Sequence, residues 1–545
     1  VTINSGTLTV DSSAASTEFT VGGLTTVSGG ALNVSSANSD VSLAAFTVSS
    51  GSATFSNYAT FTTSGLLQST GTGGFTFSGG AAAASLSSLA VAGSGTNQVS
   101  STGRINVTGT ATISAGTFSV TASAASTELT VGGLTTVSGG SFTVSNAGSD
   151  IALATLTVSS GSATFSNYAT FASTGLVQTT GSGSLTFSGG AAAASLHSLT
   201  YNSSGTQTIS STGRVAVAND LNITSGTFTV TSNANPGLSV TGATNVNGGT
   251  WAQSGGSANI SLNTLTVSSG TLTVSNYSTF VTSGLVSATG TSTMTFSGGS
   301  VAASLDSLTI NSTGGTKQIS SSGVVSVTNA LNVVAGTLSV TAGTSPALTV
   351  TGATTVDGTL NIDDGAVVVS LAALTIQNNG VVNLVETDPS TGLTVAGATL
   401  MTDNAEFNIG VSASCAATFN STVTLQDNAA FEVVGGTSDV EFNGLVSLED
   451  ASTFDISDNS NVAFDAGLTT GDGAGASSVD FGAGSAVVSV QGADLNVAAA
   501  STLDINTAAL TITGVDLVAN GTVSNSGTTN VTRFVGRSEE RRVGK

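Results

Sequence analysis

The sequence predicts an all-β fold, a single continuous parallel β-solenoid (right-handed β-helix) with about 22 residues and three short strands in each coil. Three observations favour this fold. Apolar residues alternate with Ser, Thr and Asn over four or five residues, which is the period of a half-buried strand. Charged residues make up only 7% of the chain, so the helix formers Lys, Glu and Arg are scarce while strand-forming Val and Thr are abundant. Three apolar pulses also fall between successive corner glycines.

Residues 267–274 (VSSGTLTV) illustrate one strand of the coil and the corner before it. Alternation predicts that Leu272 and Val274 point inward, whereas Thr271 and Thr273 point outward. The Ser-Ser-Gly segment that precedes them is expected to turn the chain. The same alternation assigns three residues of a later coil, with Leu360 and Ile362 inward and Asn361 outward.

A longer repeat of 110 residues, or five coils, lies above the coil period. Ser16–Gly30 returns at Ser126–Gly140 with a single change, which indicates duplication of a five-coil block. Residues 1–356 are therefore assigned to a Ser/Thr/Gly-rich β-helix built of such super-repeats. Residues 357–536 are assigned to acidic, degenerate coils of the same solenoid, because they hold 21 acidic residues against seven in the longer first region.

The two ends differ from the coils. Residues 537–545 (RSEERRVGK) carry four of the eight basic residues and match the translation of a common sequencing adapter, so we interpret them as a non-native tail. The chain starts inside an apparent strand without an initiator Met. We therefore expect the secretion signal and any anchor to lie outside this sequence.

Charge and cysteine content narrow the function classes. The formal net charge of −22 repels phosphate, so nucleic-acid binding is not expected, and it suits solubility and divalent cations. No apolar run reaches the length of a membrane-spanning helix, so no transmembrane segment is expected. Cys415 is the only cysteine, cannot form an internal disulfide, and is expected to be a small buried side chain.

The Gly-x-Leu-x-Val pulses, such as GTFSV at Gly116 and GTLSV at Gly336, lie in a Ser/Thr/Asn/Gly background of acidic charge. In these features the chain resembles right-handed β-helix repeat proteins of bacterial surfaces. Autotransporter passengers, filamentous-haemagglutinin-like adhesins and β-strand-repeat proteins are the nearest types. The resemblance covers residues 1–536 and implies export, a stalk role and adhesive partners such as surface glycans or proteins, with end-to-end stacking as a further option.

Catalytic side chains are sparse. Enzymatic β-helices that cleave acidic polysaccharides need a base and cationic side chains. Arg104 and Arg214 occupy equivalent places in the first two super-repeats, where the third has Val324, so we interpret them as corner residues. His197, the only histidine, is replaced by other polar residues in the equivalent places and is expected to face solvent, without a catalytic triad or metal site. Two carboxylate pairs remain as an alternative for hydrolysis: Asp363 with Asp364, and Asp455 with Asp458.

Aromatic side chains at repeated places offer another alternative. Three tyrosines in the same S-N-Y motif are predicted to pack over a corner, although one sugar or protein contact per block is an alternative. These tyrosines are Tyr58, Tyr168 and Tyr277. Trp251, aligned with Ser141 and Ala31, is expected to be tolerated rather than required.

Aspartates at equivalent corners suggest a cation site. Asp403, Asp427 and Asp450 open successive coils 24 and 23 residues apart, as Asp357 does two coils earlier. In register, their carboxylates would stack within about 5 Å, repel each other and attract calcium at low affinity. The alternative is that Asp-Asn corners only cap turns.

Together these observations predict a non-enzymatic extracellular or cell-surface fibrous protein, an adhesin stalk or a surface-layer-like structural rod. An ice-binding solenoid is the first alternative, because outward Thr pairs such as Thr227 and Thr229 would form hydroxyl ladders. Against it, Asn33, Ala53 and Ser119 are expected to interrupt the ladder. A polysaccharide-active β-helix enzyme is the second alternative.

Overall fold

The computed structural model of the chain is a parallel β-solenoid of about 22 turns, with no helix among its described residues. This confirms the all-β parallel solenoid predicted from the sequence. The structure describes residues 1–12, 17–124, 126–254, 258–298, 301–343, 346–363, 367–385, 392–411, 415–457, 459–471, 475–482, 485–525 and 533–535. Asp364, Asp458 and the tail 537–545, for which expectations are given above, lie outside the described residues.

Two compact units make up the chain. The first comprises Val1–Leu272 with Asn276–Phe280, and the second comprises Thr273–Ser275 with Val281–Lys545. The change to acidic composition at residue 357 therefore lies inside the second unit, not at the division between the units.

The strands are numbered β1–β60 in chain order. Strands β1–β27, in the first unit, are Thr2–Ile3, Thr7–Val10, Thr17–Val27, Ala31–Val34, Asp40–Val48, Ser52–Phe55, Thr60–Ser69, Gly74–Phe77, Ala84–Val91, Thr96–Val99, Ile105–Val107, Ala111–Ile113, Thr117–Val120, Leu129–Val137, Ser141–Ser145, Asp150–Val158, Ser162–Asn167, Thr170–Ser173, Leu176–Gly181, Ser184–Phe187, Ala194–Leu196, Ser198–Ile209, Val215–Val217, Leu221–Val230, Leu238–Val246, Thr250–Gln253 and Ala258–Val267. Strands β28 and β29, which contain residues of both units, are Thr271–Val274 and Tyr277–Thr282. Strands β30–β60, in the second unit, are Leu285–Thr289, Thr293–Phe296, Ala303–Leu305, Ser307–Asn311, Lys317–Ser321, Val325–Val327, Ala330–Ala335, Thr337–Ala342, Leu348–Val356, Thr359–Ile362, Val369–Ile376, Val381–Leu384, Leu393–Val395, Thr399–Met401, Glu406–Ile409, Ala416–Phe419, Val423–Leu425, Ala430–Val433, Asp439–Phe442, Val446–Leu448, Thr453–Ile456, Asn461–Phe464, Leu468–Thr470, Ser478–Asp480, Val487–Gln491, Leu495–Val497, Thr502–Asp504, Ala509–Thr513, Leu517–Ala519, Thr522–Ser524 and Arg533–Val535.

Each turn has three faces, which we call A, B and C in the order in which the chain forms them. In one turn of the first unit, face A is β6, Ser52–Phe55, and faces B and C are the two parts of the bent strand β7, Thr60–Ser69. Face A pairs in parallel with Ala31–Val34 in the preceding turn and with Gly74–Phe77 in the following turn. The same letters denote equivalent strands in the other turns of each unit.

Close approach of successive turns requires glycine at the corner between faces C and A. A Cβ added to Gly51 would lie 2.1 Å from the carbonyl oxygen of Gly30, one turn earlier. The backbone hydrogen bond from the N–H of Ser52 to the same carbonyl, 3.1 Å long, fixes the height of the next strand. The repeated corner glycine of the sequence is therefore a packing requirement.

The alternation predicted within strands is confirmed. Leu272, Val274, Leu360 and Ile362 are fully buried. Their outward neighbours Thr271, Thr273 and Asn361 are half-buried. In a parallel ladder, side chains of adjacent turns stand about 4.8 Å apart, so each outward side chain is partly covered by its neighbours.

Two assignments from the sequence are wrong by one position. Ala53 points inward and is 1% exposed, so it does not interrupt an outward ladder, and Thr54 is the outward residue. Trp251 is fully buried and stacks in register on Phe228, so its counterpart in the previous super-repeat is Phe142 rather than Ser141. The indole therefore belongs to the core column of face A.

Candidate functional surfaces

The outward side chain at the third position of each face A strand forms what we call the central column. In the first unit, five consecutive turns place a half-buried threonine there. These residues are Thr143, Thr164, Thr186, Thr208 and Thr229, which pair in register.

A second column of hydroxyls runs beside the threonines. It contains Ser141, Ser162, Ser184, Thr206 and Thr227, two positions earlier in the same strands. The hydroxyl of Ser162 donates to that of Ser141 over 3.1 Å, and the N–H of Thr206 donates to the hydroxyl of Ser184 over 3.1 Å. The outer surface of face A is therefore a two-column array of Ser and Thr over these five turns.

In the second unit the central column changes chemistry. Asn361, Asn383 and Asn408 form an amide ladder, in which each Nδ2 donates over 2.9 Å to the Oδ1 of the asparagine one turn earlier. Four carboxylates then follow on consecutive turns. They are Glu432, Asp455, Asp480 and Asp504.

Asp455 is flanked by a carboxylate on the turn before it and another on the turn after it. Burial, together with the charges of Asp480 and Glu432, raises the pKa of Asp455 to about 6. Stacked carboxylates cannot be separated further, because the backbone ladder fixes the spacing of the turns at about 4.8 Å. This column therefore holds a proton that an isolated aspartate would release.

The corner aspartates predicted from the sequence are aligned. Asp403, Asp427 and Asp450 all have positive φ, between 54° and 62°. The N–H of Asp403 donates to Asp427 Oδ2 over 3.1 Å, and the N–H of Asp427 donates to Asp450 Oδ2 over 3.4 Å. Asn378, one turn before Asp403, donates its N–H to Asp403 Oδ2 over 3.0 Å.

Each corner carboxylate therefore caps a backbone N–H one turn earlier, a role that the sequence alternative assigned to turn capping in general terms. Asp357 does not join this column, because its corner is shorter and its residue lies level with Gln377. Calcium binding at Asp403, Asp427 and Asp450 stays a prediction. Within the described ranges, no three His, Cys, Asp or Glu side chains meet in a group suited to a metal ion.

The basic residues of the coils are engaged in structural contacts. Arg104 donates to the carbonyl of Ala81 over 2.8 Å and to the hydroxyl of Ser126 over 2.7 Å, which ties together three turns. Its own carbonyl accepts a hydrogen bond from the hydroxyl of Tyr58 over 3.5 Å. Tyr168 and Arg214 repeat the hydroxyl contact over 3.3 Å. The interpretation of these arginines as corner residues agrees with this geometry.

Sequence analysis missed a column of buried polar side chains on face A. Asn97, Gln207 and Lys317 are equivalent across the super-repeats, and each is at most 2% exposed. Gln207 Nε2 donates to the carbonyl of Gly183 over 2.7 Å, and Lys317 Nζ donates to the hydroxyl of Ser312 and the carbonyl of Gly314. Burial lowers the pKa of Lys317. The spacing of 110 residues between polar residues at apolar positions was the signal that could have found them.

The remaining candidates from the sequence lie apart from one another. His197 is exposed, as expected, and its ring lies beside Asn219 Nδ2, 3.1 Å from Nδ1. Cys415 is buried, as expected. The three tyrosines of the S-N-Y motif are fully buried at corners, so the corner-packing prediction is confirmed and the sugar-contact alternative has no exposed ring there.

Surface hollows are open and small. One of about 290 Å³ is lined by residues of the corner before face A, including Ser94 and Thr117, and another of about 330 Å³ lies beside Asp439 and Glu441. None of the described segments is a helix long and apolar enough to cross a membrane. Comparison of the chain with family models, with characterised proteins and with solved structures found no match.

Proposed function

We propose that this chain is a non-enzymatic, exported fibrous protein of the cell surface or the extracellular space, an adhesin stalk or a surface-layer-like structural rod. The observation that supports the proposal most is the array of polar columns on face A. Hydroxyls in the first unit, and amides and carboxylates in the second, continue from turn to turn across an open surface. Such a surface can contact an extended glycan or protein over many turns.

The alternative of a polysaccharide-active enzyme has less support. Cleavage of acidic sugars uses a base and exposed cations at the scissile bond. Here Arg104 is bound to backbone carbonyls, and the ammonium of Lys317 is buried in the core. The carboxylates of the second unit lie in a column along one face, where their shared environment does not separate one acid from one base.

Binding and sugar release can be measured on the same sample. The chain, immobilised on beads, is incubated with a panel of surface polysaccharides and extracellular matrix proteins, and retained ligand and released reducing sugar are both quantified. We expect retention of at least one ligand without release of sugar. Release of sugar, or no retention across the panel, would overturn the proposal.

A matched pair of variants tests the role of face A. Thr186→Glu with Thr208→Glu places two charges in the hydroxyl array, whereas Ala172→Glu with Ala216→Glu places them on the outer side of face B. Retention should fall for the first pair and persist for the second. Equal loss in both would assign binding to another surface.

Ice binding is a second candidate, favoured by the unbroken column of five threonines with hydroxyls beside each. A flat array that repeats at the spacing of the turns, about 4.8 Å, offers a regular lattice of hydroxyls and methyl groups to a crystalline ligand. An ice-recrystallisation assay compares the chain with Thr186→Tyr and with Ala172→Tyr. Inhibition by the chain that is lost only in Thr186→Tyr would support this candidate, and unchanged crystal growth would remove it.

A further inference from the structure

Exposed leucines occur at one corner of the first unit, where face B turns into face C. Leu24, Leu66 and Leu134 are 56%, 38% and 43% exposed, and Leu176 at the equivalent place is half-buried. Each follows a glycine. A Cβ on Gly65 would lie 2.6 Å from the carbonyl oxygen of Ala44, so the tight corner pushes the next side chain outward. We call these four side chains the leucine row.

The register places the leucine row along one edge. Leu24 lies beside Ala45, Leu66 beside Ser88, and Leu134 beside Thr155. Two turns separate Leu24 from Leu66, three separate Leu66 from Leu134, and two separate Leu134 from Leu176. The spacing of two, three and two turns is the same in both directions along the edge.

The residues between the leucines are small and uncharged. The intervening positions are held by Ala45, Ser88, Thr110 and Thr155. Only six acidic residues occur in residues 1–272, so this edge lacks the charge that would keep two copies apart. An apolar row bordered by small polar residues is the composition of an interaction surface rather than of an ordinary solvated corner.

We propose that the leucine row is a side-by-side contact with a second copy of this chain. The spacing is the reason for choosing this partner. Another copy presents leucines at the same intervals, so all four can meet their counterparts at once, whether the copies run parallel or antiparallel. A partner without this period would match one or two of them.

The contact is a weak one. The row spans seven turns, or roughly 34 Å, which is short for an interface of standard size. Interfaces below about 1,200 Å² are characteristic of transient association. Dimers should therefore form reversibly and only at high protein concentration.

Sedimentation equilibrium of the full chain over a range of concentrations tests the contact. The variant carries Leu24→Ser, Leu66→Ser, Leu134→Ser and Leu176→Ser. The control carries Val411→Ser and Val487→Ser, which remove exposed apolar side chains elsewhere. We expect concentration-dependent dimers for the chain and the control, and a dissociation constant at least about tenfold weaker for the variant, because leucine contacts carry the association. A monomer at every concentration, or equal dimerisation of all three proteins, would overturn the proposal.

Disulfide cross-linking provides a readout independent of the leucines' own stability. In a Cys415→Ser background, Ala45→Cys alone should cross-link if the copies run parallel. Ala45→Cys mixed with Thr155→Cys should cross-link if they run antiparallel, because these two positions then face each other. Either result supports the contact and gives its direction, and the absence of both contradicts it.

Discussion

The hydroxyl turns of the first unit and the carboxylate turns of the second use the same position of the same strand for different chemistry. Thr186 and Asp455 both occupy the central column of face A, half-buried between the turns above and below. The threonines are neutral and stack without penalty. The carboxylates repel, and Asp455 retains a proton to a pKa of about 6 as a result.

The comparison teaches that backbone register, not side-chain attraction, holds the solenoid's outer columns in place. Beneath the carboxylates, Phe407, Phe431 and Phe454 stack face to face with ring centroids 4.9 Å apart. Beneath the threonines, the equivalent core column contains Leu185 and Gln207. We infer that a more strongly stacked aromatic core offsets the charge repulsion on the outside of the acidic turns.

The largest expected effect comes from removing that core. Phe431→Ala should lower the free energy of unfolding by about 3–5 kcal/mol, because it removes two ring contacts and leaves a cavity under repelling carboxylates. Leu185→Ala, the matched change under the threonines, should cost about 2–4 kcal/mol. Hydrogen exchange should show lost protection only in neighbouring turns. Equal costs at the two sites would break the link between core and surface charge, and loss of protection along the whole chain would contradict nearest-neighbour coupling.

The pH dependence of stability sharpens the comparison. The pKa of Asp455 is about 6 in the folded chain against 3.8 for a free side chain, so the folded state binds the extra proton between these values. Stability is therefore highest below about pH 4 as far as this group is concerned, and it falls as the pH rises through 6. After solvent screening, the loss is on the order of 1 kcal/mol.

Asp455→Asn should remove this component, so the variant gains stability over the parent at pH 8 and not at pH 4. Thr186→Asn, at the equivalent position of the hydroxyl turns, should change stability little at either pH. Thermal unfolding at the two pH values measures both. A gain at pH 8 that persists at pH 4 would show that charge is not its cause.

The corner carboxylates should respond differently from those of the central column. Asp427→Ala removes the acceptor for the N–H of Asp403 and leaves an alanine at φ 59°, so stability should fall by about 1 kcal/mol. Asp427→Asn keeps an acceptor oxygen and tolerates positive φ, so it should be nearly neutral. Denaturant unfolding of both variants decides. A large loss in Asp427→Asn would mean that the charge itself stabilises the corner.

Calcium is expected to produce the smallest effect. The prediction places a low-affinity ion, with a dissociation constant on the order of 10⁻⁴–10⁻³ M, at Asp403, Asp427 and Asp450. Millimolar calcium should then raise the melting temperature of the chain by a few degrees, while the variant with asparagine at all three positions should not respond. Asp455→Asn serves as the control that retains the corner. Identical melting in calcium and in chelator, without heat in a calorimetric titration, would leave only the capping role.

Much of the fold was predictable because it depends on local alternation. Leu360 and Ile362 could be assigned inward from their spacing alone, since side chains of a strand alternate between its two sides. The site was less predictable. The corner aspartates were found because their coils are spaced almost equally, whereas the one-position error at Trp251 came from aligning glycines by eye instead of by strand.

By itself, the sequence determined the strands, the coil period of about 22 residues and the inward face of most strands, because each of these follows from the spacing of residues close in the chain. Only the tertiary structure decided which outward residues become neighbours. Glu432, Asp455, Asp480 and Asp504 are separated by 23, 25 and 24 residues, yet they share one column. Corners of unequal length absorb the difference, while hydrogen bonds between turns fix the register, and that register is a property of the stacked backbone.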